Sequence, residues 1–229
     1  AVLTVAGPTT LEVSGGDFGL DEQLIMKVRE VPGLTAAAPV IVQTAVRLDA
    51  GKPGSAVQVI GLDLLAEFDS RGFRVVEGVA ANPLVDLLKA DSLYIGRKLA
   101  AEWHLEKGST IQLQVGPRQV QMRIAGVIQD RSDRVSSWDQ VAIMDIAAAQ
   151  VLFGMAGRLD RIDLVTNPEV EIDATAQAVR AVLPPHVTVE RPASRTRQVE
   201  QMVRAFRLNL TVLSWVGLLV GMFLIYNTM

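Results

Sequence analysis

From Leu208 to Met229 the chain runs for 22 residues without a charged side chain, LNLTVLSWVGLLVGMFLIYNTM. As an α-helix this stretch rises about 33 Å, enough for a hydrocarbon core of about 30 Å. It therefore reads as a transmembrane helix. Arg204 and Arg207 stand just ahead of it, where long side chains snorkel to headgroups. Of the aromatic residues Trp215 and Tyr226, only Tyr226 lies near an end, so the aromatic belt is partial. Gly217 and Gly221 form a small-xxx-small pair that lets a second helix approach closely in the membrane. The alternative is a buried helix of a large water-soluble protein, and such helices seldom stay uncharged for so long.

The segment Ala193 to Arg207 reads as the same helix continuing outward. Val199, Val203, Phe206 and Leu210 recur at the spacing of one helix face, with Ser194 placed to cap the start. Arg195, Arg197, Glu200, Arg204 and Arg207 supply the polar surface. A long helix that passes from a bilayer into a water-exposed domain is a mechanical connection, so this stripe is read as a stalk.

The remaining chain is ordinary globular sequence. Hydrophobic residues make up 49% of the whole, so it is the uneven distribution of apolar residues that points to a membrane. The net charge of -3 offers no basic footprint and argues against a nucleic-acid partner. Cysteine is absent, which excludes disulfides, thiolate metal sites and cysteine nucleophiles and suits an oxidising compartment. The first residues carry neither an initiator Met nor the basic region of a signal peptide, so the chain reads as a piece of something longer.

Short strands and short helices alternate without repeats. Leu11–Val13 reads as a strand followed by a turn at Gly15, Gly16 and Asp17. Asp21–Glu30 reads as a helix with Asp21 as cap, Leu24, Ile25 and Val28 on one face, and Pro32-Gly33 as its stop. Thr35–Leu48 looks extended but interrupted by Pro39, and Ser55–Leu62 alternates as a strand. Asn82–Lys89 suggests a brief helix, Ser92–Ile95 a strand, and Gly96–Trp103 a helix burying Leu99, Ala100 and Trp103. The clearest signal is a hairpin: Thr110–Val115 alternates perfectly, Gly116-Pro117 turns, and Val120–Ile128 answers. Asp130–Asp139 reads as a solvated loop, Gln140–Met144 as a strand and Ile146–Phe153 as a helix. Arg161–Thr166 reads as a strand with edge charge at Asp160, Arg161 and Asp163. A helix over Glu171–Leu183 and a last strand over Val187–Glu190 follow.

The expected fold is α+β. A mixed α/β subdomain comprises residues 1–74 and 140–193, with a β-rich subdomain inserted at 75–139. Residues 194–229 form the stalk and transmembrane helix.

Reaction chemistry is hard to find. The chain has no phosphate loop, dinucleotide fingerprint or nucleophile elbow. Its two histidines, His104 and His186, have no metal-ligand spacing and read as surface or capping residues. Asp130, Asp133 and Asp139, mixed with Arg131 and Arg134, read as solvated charge rather than a cation site. The sequon at Asn209 lies at the membrane boundary. The chain is expected not to be an enzyme and to hold no cofactor or metal.

At its end the chain offers a resemblance. Met222-Phe223-Leu224-Ile225-Tyr226-Asn227-Thr228-Met229 resembles the start of the permease region in the FtsX/MacB-type ABC transporter permease family, where an apolar helix closes on Asn-Thr. Val59-Ile60-Gly61-Leu62-Asp63 is similar to a strand end of that family's extracytoplasmic domain. So are Leu93–Ala100, Leu105–Ile111 (with Ser109 where Asp is usual) and Gly126-Val127 at the hairpin's end. The resemblance spans nearly all of the chain and rests on the order and spacing of these motifs. It implies a porter-like α/β subdomain with a β-rich insert, lying outside a bacterial cytoplasmic membrane and joined to a transmembrane helix. It further implies an ABC ATPase subunit that binds the ATP, a second permease copy or paralogue, contact with membrane lipid, and an external partner or cargo such as a lipoprotein, lipid, peptide or drug. Movement would pass along the stalk by mechanotransmission. The other reading is a membrane-anchored regulator of an external partner, such as a cell-wall hydrolase, that transports nothing.

Overall fold

The computed structural model describes residues 9–48, 54–67, 73–77, 89–130 and 137–192, and positions 220, 222, 224, 226 and 227. Two compact units result, residues 1–190 and 191–229. In the first, twelve strands are described: β1 (Leu11–Ser14), β2 (Leu20–Asp21), β3 (Leu34–Arg47), β4 (Ala56–Leu62), β5 (Phe73–Glu77), β6 (Ser92–Gly96), β7 (Thr110–Val115), β8 (Arg118–Asp130), β9 (Val141–Asp145), β10 (Arg158–Leu159), β11 (Arg161–Thr166) and β12 (Thr188–Glu190). Among the described residues five α-helices join them: α1 (Leu24–Arg29), α2 (Leu64–Glu67), α3 (Arg97–Trp103), α4 (Ile146–Phe153) and α5 (Ile172–Val182).

Ten strands form one mixed sheet in the order β12-β1-β11-β3-β4-β9-β6-β8-β5, with β7 pairing both β3 and β8. β2 and β10 pair separately. The β4–β9 and β6–β8 pairs are parallel, and the other neighbours are antiparallel. The fold is α+β. Strands from the two sequence-proposed subdomains share this sheet: β6 pairs β9 and β7 pairs β3. The proposed boundaries at 74/75 and 139/140 fall inside β5 and inside the 3-10 turn Ser137–Gln140. Two long strands explain this. β3 carries β11 on its first half and β7 at its end, and β8 carries β7 on its first half and β5 on its second.

The sheet centre is covered on both faces, so its strands read as continuous apolar runs. On one side α3 and α4 lie over the centre, with Trp103 and Ala149 in one core with Val59, Leu93, Ile95 and Met144, while α1 packs on β3 and α5 beside β12, adding Leu24, Val28 and Val179 to that core. On the other side Leu64, Phe73 and Trp138 cover Ile60, Leu62, Tyr94, Ile128 and Ile143. Phe73 and Trp138 meet as tilted rings with centroids 4.9 Å apart. In β8 the pairing with β6 jumps from Leu93↔Ile124 to Tyr94↔Gly126. This bulge inserts one residue and puts Ile124 and Val127, three apart, on the same face. α4 packs close to β4: a Cβ on Gly61 would stand 2.6 Å from the Ala149 Cβ.

Several local expectations meet the structure directly. The hairpin forms with Val115 opposite Arg118, around Gly116 at φ 55° and Pro117. A positive φ only at the first central residue suits a type II′ turn. α4 spans the residues expected, and Asp145, overlooked in the sequence, caps it by accepting from the Ala147 and Ala148 amides at 3.0 and 3.4 Å. His104 takes a left-handed φ of 54° at the C-terminus of α3 and is exposed, a capping role.

Others need correction. Pro39 does not interrupt β3. It pairs with Ile162 of β11, and β4 begins to pair only at Val40, so the missing N–H faces no ladder. On that same side Arg29 of α1 donates to the Ala37 carbonyl, both bonds 3.3 Å. The region Asp130–Asp139 is not wholly a solvated loop. Asp130 ends β8, and Trp138 and Asp139 are buried. The charges at 160–163 do not lie on an edge strand, because β11 sits between β1 and β3. α1 starts later than expected, and Asp21 accepts from the Gln23 amide in the turn before it. The helix expected over Asn82–Lys89 falls almost wholly outside the described residues.

Candidate functional site

The first and last strands of the larger unit, β1 and β12, meet at a junction. β1 opens the sheet and β12 closes it, and the two are adjacent and antiparallel, with Glu12↔Glu190, Val13↔Val189 and Ser14↔Thr188 in register. Entry at Leu11 and exit at Glu190 therefore lie side by side at one end of the strands. Both sides are fastened. The Thr10 amide and hydroxyl donate to the Leu164 carbonyl at 2.8 and 3.1 Å, and the Thr10 hydroxyl accepts from the Thr166 amide at 2.8 Å. On the exit side the Thr188 hydroxyl donates to the Ser14 carbonyl at 3.2 Å. The Arg180 guanidinium of α5 donates to the Val189 carbonyl at 2.8 Å. Val13 and Val189 are buried in the larger core.

The opposite face of these strands is charged. Glu12 stands directly across from Asp163 on β11 and from Glu190 on β12, placing three carboxylates in register over three strands. Arg161, two residues before Asp163 and so on the same face, brings its Nε to 2.9 Å from an Asp163 carboxylate oxygen. Glu12, Arg161 and Asp163 are only 4%, 6% and 3% exposed. Taking charges out of water costs free energy even when they are paired, so this end of the sheet accepts a cost that the apolar centre avoids. Asp160, next to the pair, accepts from the Val42 amide at 2.6 Å and from the Gln43 side chain at 3.0 Å. It extends the β3 ladder past the end of β11. Among the described residues no group of three or more His, Asp or Glu side chains could hold a metal ion.

A second feature is the loop around β2 and β10. Phe18 sits in the 3-10 turn Gly16–Phe18 and is 80% exposed, while Arg158 donates to its carbonyl. The Gln150 side chain ties α4 to this loop by donating to Glu22 at 3.0 Å.

The residues singled out in the sequence, Gly217, Gly221, Val199, Val203, Phe206 and Leu210, lie outside the described residues. Nearby, Val220, Met222, Leu224, Tyr226 and Asn227 are helical and exposed. Val220 and Met222 point about 200° apart around a helix, so exposed apolar side chains occur on opposite sides of it. Among the described residues no helix is long and apolar enough to cross a membrane. The junction itself was not visible in the sequence, because Thr10 meets Leu164 and Thr166, and Ser14 meets Thr188, only through pairings across most of the chain.

With this geometry in place, comparison with known proteins decides the family. The model of the MacB-like periplasmic core domain matches residues 2–182. The chain belongs to this family. A curated relative, the uncharacterized ABC transporter permease protein Rv0987 of Mycobacterium tuberculosis (strain ATCC 25618 / H37Rv), is 34% identical over 226 residues. That alignment takes in 98% of this chain and 26% of the relative, so the chain spans about a quarter of its relative's length. The MacB periplasmic region from Actinobacillus actinomycetemcomitans superposes with a TM-score of 0.58 at 11% identity, covering 86% of this chain and 94% of that one. The extracellular domain of the noncanonic ABC-type transporter YknZ from Gram-positive bacteria gives 0.57 at 14% identity, covering 80% and 99%. These two likenesses concern the fold. The FtsX/MacB-type resemblance read from the sequence agrees with the family, and a periplasmic core domain is an extracytoplasmic part of a membrane-anchored transporter component.

Proposed function

We propose that this MacB-like periplasmic core domain belongs to an ABC transporter permease subunit. In this reading a partner ATPase hydrolyses ATP in the cytoplasm of a bacterium, and the motion reaches the outer unit through the segment Ala193–Leu210 and the transmembrane helix that follows. The observation that carries the reading is the family match, and the junction suits it: entry and exit are neighbouring strands, an arrangement compatible with a domain hung from two membrane connections. The Val199, Val203, Phe206 and Leu210 stripe supports a helical stalk, and Gly217 with Gly221 supports close packing against another membrane helix. A second permease, copy or paralogue, completes the assembly. The cargo is a lipoprotein, lipid, peptide or drug handled outside the membrane.

Inserting two residues between Val199 and Phe206 of the complete permease rotates the apolar stripe by about 200°. ATP-dependent export should fall while the outer unit keeps its circular dichroism. Undiminished export in that variant counts against the stalk. If removing the ATPase leaves envelope traffic unchanged and alters cell-wall hydrolysis, the regulatory reading replaces transport.

A further inference from the structure

We infer that β1 and β12 act as a clamp that makes the outer unit respond to its connections as one body. The inference rests on the proposed coupling along the stalk and names the element that receives the motion. β12 is three residues long and is the last strand of the sheet on its side, so displacement applied after Glu190 falls on it first. A strand held only by its own short ladder would peel from the sheet, and the motion would be lost in local unfolding.

β12 is held in four other ways. Val189 is buried among core side chains. The carbonyl of Val189 accepts the Arg180 guanidinium, tying the strand to α5. The Thr188 hydroxyl adds a bond to β1 beside the ladder. β1 is itself sandwiched between β12 and β11, and Thr10 fastens its start to Leu164 and Thr166 of β11. Displacement after Glu190 is thus shared within one strand's width by the entry strand and by the sheet's interior. The entry and exit connections cannot separate without breaking the Glu12↔Glu190 to Ser14↔Thr188 ladder.

The absence of native cysteine makes a direct test possible. Ser14→Cys with Thr188→Cys places two thiols on directly opposed residues, whose Cα separation in an antiparallel pair lies in the disulfide range. In the complete permease with its ATPase, reconstituted in vesicles, oxidation should leave ATP-dependent export unchanged relative to the same protein reduced. Loss of export on oxidation, restored by reduction, would show that β12 must part from β1 and would overturn the clamp.

A second measurement needs no variant. Hydrogen exchange of the unmodified permease should show equal protection of the Thr188–Glu190 amides with and without ATP, while exchange in residues 193–210 changes. Protection lost from β12 in one nucleotide state overturns the clamp. No change in 193–210 in any state instead removes the stalk reading on which the clamp depends.

Discussion

The centre of the sheet and its β12-β1-β11 end are built from similar short strands and solve opposite problems. At the centre β4, β9 and β6 are apolar on both faces, with α3 and α4 on one side and Leu64, Phe73 and Trp138 on the other. At the junction only one face is apolar. The other carries Glu12, Arg161 and Asp163 in burial. The centre stabilises the fold by area removed from water, about 1.5–3 kcal/mol per fully buried large side chain. The junction keeps charges that a stability-driven design would replace. This cost falls where the chain enters and leaves, which is where the proposed function needs a defined, tightly registered attachment.

That contrast can be broken experimentally. The largest effect is expected for Asp163→Ala, which leaves the buried Arg161 without its carboxylate and should cost about 3–5 kcal/mol in denaturant unfolding. The double change Arg161→Met with Asp163→Leu should recover most of that loss. If the double variant is as unstable as the single one, the pair is needed for folding and the contrast between the two regions fails. At the centre, Ile143→Ala should cost about 2–5 kcal/mol. Trp103 and Trp138, one in each core, should report the loss together if the sheet unfolds as one unit. Removing the α4 cap with Asp145→Ala should cost about 1 kcal/mol, and Asp145→Asn clearly less. Arg180→Ala should cost a similar amount, about 1 kcal/mol, and should raise hydrogen exchange at Val189 more than at Ile143. Equal rises at both positions would mean that Arg180 supports the whole fold rather than the junction.

How far the sequence revealed this depends on how local each feature is. The Thr110–Asp130 hairpin was legible because strict alternation and Gly116-Pro117 act within a few residues. The helix Ile146–Phe153 and the buried faces of α1 and α3 were legible for the same reason, since 3.6-residue spacing is a local signal. Asp145 carried a readable cap signal that was missed beside a strand. Pro39 misled because its tolerance depends on where β4 begins to pair, 23 residues on. Arg161-Ile162-Asp163 has the alternation of a strand with one wet face, and only the strands on either side show that the face is buried. The bridge from Asp160 to Val42 joins residues 118 apart, which no local pattern announces. Of the site, the stalk and helix-packing residues came from periodicity alone, whereas the junction exists only in the strand order.

The central claim is that the outer unit moves without deforming. Spectroscopic labels on the exposed positions Glu106 and Glu169 of the complete permease, introduced as Glu106→Cys and Glu169→Cys, give one distance inside the unit. A donor at Glu106 with acceptor-labelled lipid headgroups gives another, from the unit to the bilayer. If the unit moves as one body, ATP turnover changes the distance to the headgroups and leaves the internal distance constant. An internal distance that changes with nucleotide while the distance to the headgroups stays fixed would contradict it.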